Sequence, residues 1–156
     1  MDASIETKVQ LHENFWRGEG PSLILIPTAE MDPYDLEDYP ERFHDPLAMW
    51  ESEMDRAEQV IDWPTDGIPC IRPNLGVIFV PSMVGLPYRL PEGSMPWPGE
   101  PLSRDAIRAA QATTIPMSET MILAMEFYMT HLQSGRDDII AYQADNQGIF
   151  DIAHLL

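Results

Sequence analysis

Apolar residues fall into short runs and helical stripes separated by prolines. The first run, Leu23-Ile24-Leu25-Ile26, lies between Pro21 and Pro27. It is short, continuously apolar and bounded by breakers, which predicts a strand buried on both faces of a parallel sheet. An acidic loop from Glu30 to Asp45 follows, with Tyr34, Tyr39 and Phe43 as its anchors. Asp45-Pro46 then opens a helix: Asp suits the cap, and Pro suits a first helical position where no N–H is needed. Leu47, Trp50, Met54, Ala57 and Ile61 recur at helical spacing and predict its buried stripe, with Glu51, Glu53, Asp55 and Glu58 on a solvated face.

Nine of the fifteen prolines lie between residues 64 and 101, which argues against regular helix there. Two strands are predicted in that stretch, Ile68 to Arg72 and Val77 to Val80. A long shaped loop follows, in which Tyr88, Met95 and Trp97 either close over a pocket or pack the loop down. Ser103 caps a short helix from Asp105 to Gln111. A longer helix runs from Pro116 to Gln133 and ends at Gly135, a residue suited to a left-handed cap. Its apolar positions Met117, Met121, Ala124, Met125, Tyr128 and Leu132 predict packing on a sheet, with a methionine-lined partner groove as the alternative. Residues 134–138 form a turn, Ile139 to Tyr142 a strand, 144–148 a polar loop, and Ile149 to Leu156 an amphipathic helix. Strands alternating with helices imply parallel βαβ units and an α/β fold.

A chain of 156 residues is long enough for one domain with a core, and residues 1–10 read as a flexible arm. Hydrophobic residues at 44% and charged residues at 22% fit a globular protein. The net charge of −17 opposes binding to nucleic acid or to anionic lipid. No apolar run approaches the roughly 20 residues of a membrane helix, and the start MDASIETKVQ lacks signal-peptide character. Cys70 is the single cysteine, so no internal disulfide is expected. A cytoplasmic location follows as the default, with Cys70 as a small buried residue rather than a nucleophile.

The chain has no Gly-rich phosphate loop, Gly-x-Ser-x-Gly, His-Glu-x-x-His or paired-cysteine pattern. His12, His44, His131 and His154 lack ligand spacing, so no metal site is expected. Parallel α/β folds bind ligands at the carboxyl ends of their strands. That rule selects Thr28 and Glu30, then Asp66, Arg72 and Asn74, then Gln143, Asp145, Asn146 and Gln147. Asp145 or Asn146 has a second reading as the cap of the last helix.

The stretch Asp66-Gly-Ile-Pro-Cys-Ile-Arg-Pro-Asn-Leu-Gly76, the following Val80-Pro-Ser-Met-Val-Gly85, and Asp145-Asn-Gln-Gly-Ile-Phe-Asp-Ile-Ala153 resemble the uroporphyrinogen decarboxylase superfamily. Phe15-Trp16-Arg17 and Glu92-Gly-Ser-Met-Pro-Trp97 fit the same resemblance, which covers most of residues 11 to 156. It implies a (β/α)8 TIM-type barrel with its site at the strand carboxyl ends. It also implies a carboxy-lyase of the porphyrin pathway or a methyltransferase working with a corrinoid partner and zinc. The acidic residue of the family near the second strand corresponds to Asp66, which makes Asp66 the catalytic candidate. Arg72, Asn74, Asp145 and Gln147 become the substrate-binding candidates for a small or tetrapyrrole-type substrate.

The arginine-rich motif of the decarboxylases has no counterpart in Ile26-Pro-Thr-Ala-Glu30, which turns the expectation toward the methyltransferase branch. A tyrosine of the decarboxylases has Leu155 in its place. A (β/α)8 barrel takes roughly 250 residues, so the chain is expected to be the N-terminal portion of such a barrel, inactive alone. No cofactor is expected in this portion. Zinc and the corrinoid partner would belong to the full-length parent. The alternative is a non-catalytic binding or assembly protein that completes its barrel by self-association or with a missing C-terminal half.

Overall fold

A computed structural model describes residues 4–26, 38–61, 64–110 and 117–156, with the side chains of residues 149 and 150 excepted. Thr28, Glu30 and Tyr34, and the helix ends expected at Gln111 and Pro116, lie outside the described residues.

Helix α1 spans Ile5–Arg17, within and beyond the stretch read as a flexible arm. Ser4 accepts a hydrogen bond from the Thr7 N–H at its start, and Gly18 closes it at φ 72°. None of its residues is buried, which explains why hydrophobic periodicity did not find it. Polar bonds dock it instead. Lys8 Nζ donates to the Gly67 carbonyl at 2.9 Å, and His12 Nε2 lies 2.7 Å from the Asp66 carbonyl.

The apolar run 23–26 does not become a strand. Leu23, Leu25 and Ile26 are exposed. Leu25 is tied to Asp66: its N–H donates to Asp66 Oδ2 at 2.8 Å, and its carbonyl accepts from the Asp66 N–H at 2.7 Å. An apolar run forms a buried strand only if a neighbouring ladder and two covering layers exist, and among the described residues this one has neither.

Helix α2 spans Tyr39–Phe43 and α3 spans Pro46–Ile61. Asp45 Oδ1 accepts from the N–H groups of Leu47 and Ala48, so the predicted cap is formed. The buried face of α3 is Met49, Glu53, Met54, Ala57 and Val60. Leu47, expected inside, is exposed, and Glu53, expected outside, is 7% exposed.

Strand β1 is short, Cys70–Ile71. Val77–Val80, expected as a strand, is helical: a 3-10 turn at Gly76–Ile78 runs into helix α4, Phe79–Met83. Pro81 is tolerated because it sits in the first turn of α4, where an N–H has no intrahelical acceptor. Gly76 has φ 59°, and a Cβ there would meet Pro96 Cγ at 2.9 Å, so the turn needs glycine. Strands β2, Tyr88–Arg89, and β3, Trp97–Pro98, pair antiparallel. Of the three side chains expected to close over a pocket or pack the loop down, two pack inward and Trp97 is exposed. Pro96 is fully buried, and Tyr88 and Met95 lie against the core.

Helix α5 spans Arg104–Ala110, with Ser103 Oγ accepting from the Ala106 N–H. Helix α6, Glu119–Ser134, starts at a Ser118 cap and ends at Gly135 with φ 67°. Strand β4, Ile140–Ala141, pairs parallel with β1, matching Cys70 to Ile140 and Ile71 to Ala141. Helix α7 spans Ile149–Leu155. The described strands therefore form two separate pairs and no closed barrel.

The core joins α2, α3, β1 and α6 through Tyr39, Phe43, Met49, Met54, Ala57, Ile71, Leu75, Ile78, Leu123, Phe127 and Ile139. Each large apolar side chain fully buried there contributes about 1.5–3 kcal/mol. Between α3 and α6, Trp50 Nε1 donates to His131 Nδ1 at 3.3 Å, and His131 Nε2 lies 3.0 Å from the Ile139 carbonyl. Because an indole N–H can only donate, Nδ1 must accept and Nε2 must carry the proton. This buried histidine ties two helices to the start of β4.

Candidate functional site

The parallel pair β1–β4 gives the site its frame. Side chains alternate across a strand. Ile71 is buried in the core, whereas Cys70 and Ile140, matched in register, are exposed on the opposite face. The next residues of that alternation are Arg72 and Tyr142, just past the carboxyl ends of the two strands. Arg72 Nη1 lies 3.3 Å from Asp145 Oδ1. The Arg72 guanidinium carbon is 5.7 Å from the centroid of the Tyr142 ring.

Two residues expected in the site, Arg72 and Asp145, are thus brought together. Asp145 does not cap the last helix. The cap position of α7 is Gly148, with no side-chain cap bond. Asn74 is buried, and its backbone carbonyl accepts from the Tyr39 hydroxyl at 2.6 Å. It borders a cavity of about 10 Å³ shared with Tyr39, Arg42, Met49, Ser52 and Glu53, close to the minimum for one water. Gln147 is half-buried, and no hydrogen bond joins it to Arg72 or Asp145.

Asp66 stands apart from this cluster. Its carboxylate accepts from the Leu25 N–H, and it lines an open cleft of about 500 Å³ against Glu6, Lys8, Gln10, Leu11 and Asn14 of α1. Its observed work is holding the chain at residue 25.

Glu53 and Tyr142 are the residues that sequence reasoning missed. Partial desolvation raises both the Cys70 thiol and the Tyr142 phenol, and the charge of Glu53, buried on α3, adds to it in each. Partial desolvation is the larger cause in each case, and the Arg72 charge opposes it in both. Cys70 is exposed, contrary to the buried role expected for it. Partial desolvation nonetheless raises its thiol, which lowers its thiolate fraction. Among the described residues, no group of three or more His, Cys, Asp or Glu side chains is placed to hold a metal ion.

Chemically, the cluster is an exposed-face guanidinium held by one carboxylate and backed by an aromatic ring. Arginine presents five N–H donors in a rigid fork, so one contact to Asp145 leaves donors for a second anion. Such an arrangement orients a carboxylate or phosphate; it contains no activated nucleophile.

Among the described residues, no helix is long and apolar enough to cross a membrane. No family model matches the chain, and neither a curated protein nor a solved structure matches it.

Proposed function

We propose that the chain is the N-terminal, substrate-orienting part of a uroporphyrinogen decarboxylase-like (β/α)8 enzyme of the cytoplasm. Arg72 is its cation for a substrate carboxylate. The observation that carries this is the meeting of Arg72, Tyr142 and Asp145 at the carboxyl ends of two parallel strands. Their exposed face is the one a closed barrel would turn inward. In this role Asp145 holds the guanidinium plane, the Tyr142 ring supports it, and the free donors take the substrate carboxylate. The net charge of −17 disfavours a polycarboxylate and favours a small or singly charged substrate end. That preference supports the methyltransferase-like branch. Zinc, the corrinoid partner and the reacting groups then come from the later half of the parent enzyme.

The test is an amide NMR titration of the chain with propionate and, separately, with a tetracarboxylated porphyrin. Propionate should shift residues 72, 142 and 145, and Arg72→Ala should abolish those shifts. Absence of shifts there, or stronger binding of the porphyrin, would overturn the assignment. The purified chain should neither decarboxylate a porphyrinogen nor transfer methyl groups. Detectable turnover would show that it is not merely the orienting part.

A non-catalytic assembly role is the alternative. Among the described residues β1 and β4 pair only with each other, so each keeps an open backbone edge, a ready template for another chain. A second copy or a separate half would complete the sheet. Sedimentation as a monomer at every concentration, with a single cooperative melt, would remove this alternative.

A further inference from the structure

Helix α6 is apolar on two opposite faces. Its inner face, Leu123, Ala124, Phe127 and His131, packs toward the core and α3. Its outer face carries Met121, Ile122, Met125, Met129 and Leu132. Met125 is 52% exposed, Met129 50% and Leu132 73%. At 3.6 residues per turn these five side chains occupy an arc of roughly 100° and a length of about 16 Å. That is the width of the apolar stripe by which an amphipathic helix meets a partner. The inward packing expected for Met117, Met125 and Leu132 is thereby corrected: Leu123 and Phe127 fill the core in their place.

Charge decides what can cover this stripe. Exposed Glu119 and Glu126 border it along one side, and α6 itself contains no Lys or Arg. The whole chain carries −17. A second copy would bring the same glutamate rim to this helix face, where like charges oppose each other. A cationic partner would be steered toward the stripe and would pair with the glutamate rim. The methionines add adaptability, since an unbranched thioether side chain refits to differently shaped apolar surfaces.

We propose that the outer face of α6 docks a basic amphipathic helix of another protein, with the partner's apolar stripe on Met125, Met129 and Leu132 and its Lys or Arg residues against Glu119 and Glu126. This surface is separate from the Arg72 cluster, and neither assignment depends on the other.

The experiment uses the full chain with methyl-labelled methionine and a peptide of about 18 residues, long enough to form an amphipathic helix. One peptide carries leucines on one face and lysines on the other. A second replaces the lysines with glutamates, and a third replaces the leucines with serines. The Leu/Lys peptide should shift the methyl signals of Met121, Met125 and Met129. Both control peptides should bind at least about tenfold more weakly. Met125→Glu together with Met129→Glu should abolish the binding while lowering the melting temperature only slightly, because both side chains are half exposed and two glutamates four positions apart repel weakly. Equal binding of the glutamate or serine peptide overturns the proposal, as does undiminished binding by the double variant. A concentration-dependent dimer that the double variant abolishes would assign the face to a second copy and overturn it too.

Discussion

Arg72 lies with its guanidinium carbon 5.7 Å from the centre of the Tyr142 ring, joining residues 70 positions apart in the chain. The contact exists because β1 and β4 run parallel in the register Cys70 to Ile140. Each strand then delivers its next same-side residue to one place.

That contact should matter more to binding than to folding. Arg72 and Asp145 are each about one-third exposed, so solvent screens their pairing to roughly 0–1 kcal/mol. Arg72→Ala should leave the urea midpoint nearly unchanged and remove propionate binding. Arg72→Lys should recover only part of that binding, since it restores the charge without the planar fork. A large loss of stability in Arg72→Ala would mean that the residue serves chiefly as a structural support.

His131 should matter to folding. His131→Leu leaves the Trp50 N–H and the Ile139 carbonyl without their partner, at a cost of about 1–3 kcal/mol for each buried group left unpaired. Trp50→Phe removes only a donor, so the polar part of its cost should be smaller. Urea denaturation measures both. A nitrogen-resolved NMR spectrum of His131 should show the proton on Nε2; a proton on Nδ1 would contradict the assigned hydrogen bonds.

Tyr88 should confer an alkaline limit. Burial, then the hydrogen bond to Glu119 Oε2 at 2.8 Å and the charge of that carboxylate, push its phenol up to about 12 from an ordinary 10. The folded protein therefore holds this proton more tightly than the unfolded chain. The resulting stability is fully present below pH 10 and is lost as pH rises toward 12. Tyr88→Phe should flatten that decline in thermal melts, and the wild-type ultraviolet titration should contain a late phenol that the variant lacks. Identical alkaline profiles would count against the Tyr88–Glu119 bond.

Cys70 reports on the buried carboxylate beside it. Desolvation raises the thiol most, the Glu53 charge raises it further and the Arg72 charge lowers it. At a fixed mildly alkaline pH, Glu53→Gln should speed alkylation by iodoacetamide, and Arg72→Ala should slow it. Unchanged rates in both folded variants would place Glu53 and Arg72 electrostatically out of reach of the sulfur.

What the sequence determined by itself was mostly local. The Asp45-Pro46 start of α3, the Ser103 cap of α5 and the Gly135 end of α6 depend on a few neighbouring residues whose backbone preferences act alone. The strands around Cys70–Ile71 and Ile140–Ala141 were also legible, and with them the arrival of Arg72 and Asp145 at strand ends. Burial was legible only in part: Met54 and Ala57 of the expected α3 stripe are buried, but elsewhere burial depends on what arrives from other parts of the chain. Leu23 to Ile26 have the composition of a core strand, but Leu23, Leu25 and Ile26 stay exposed. Glu53 sits among acidic neighbours that suggest solvent, yet the packing of α3 on β1 turns it inward. Helix α6 has apolar residues nearly all round, so its periodicity could not choose a face. Only the position of α3 selected Leu123 and Phe127 for the core and left Met125, Met129 and Leu132 outside.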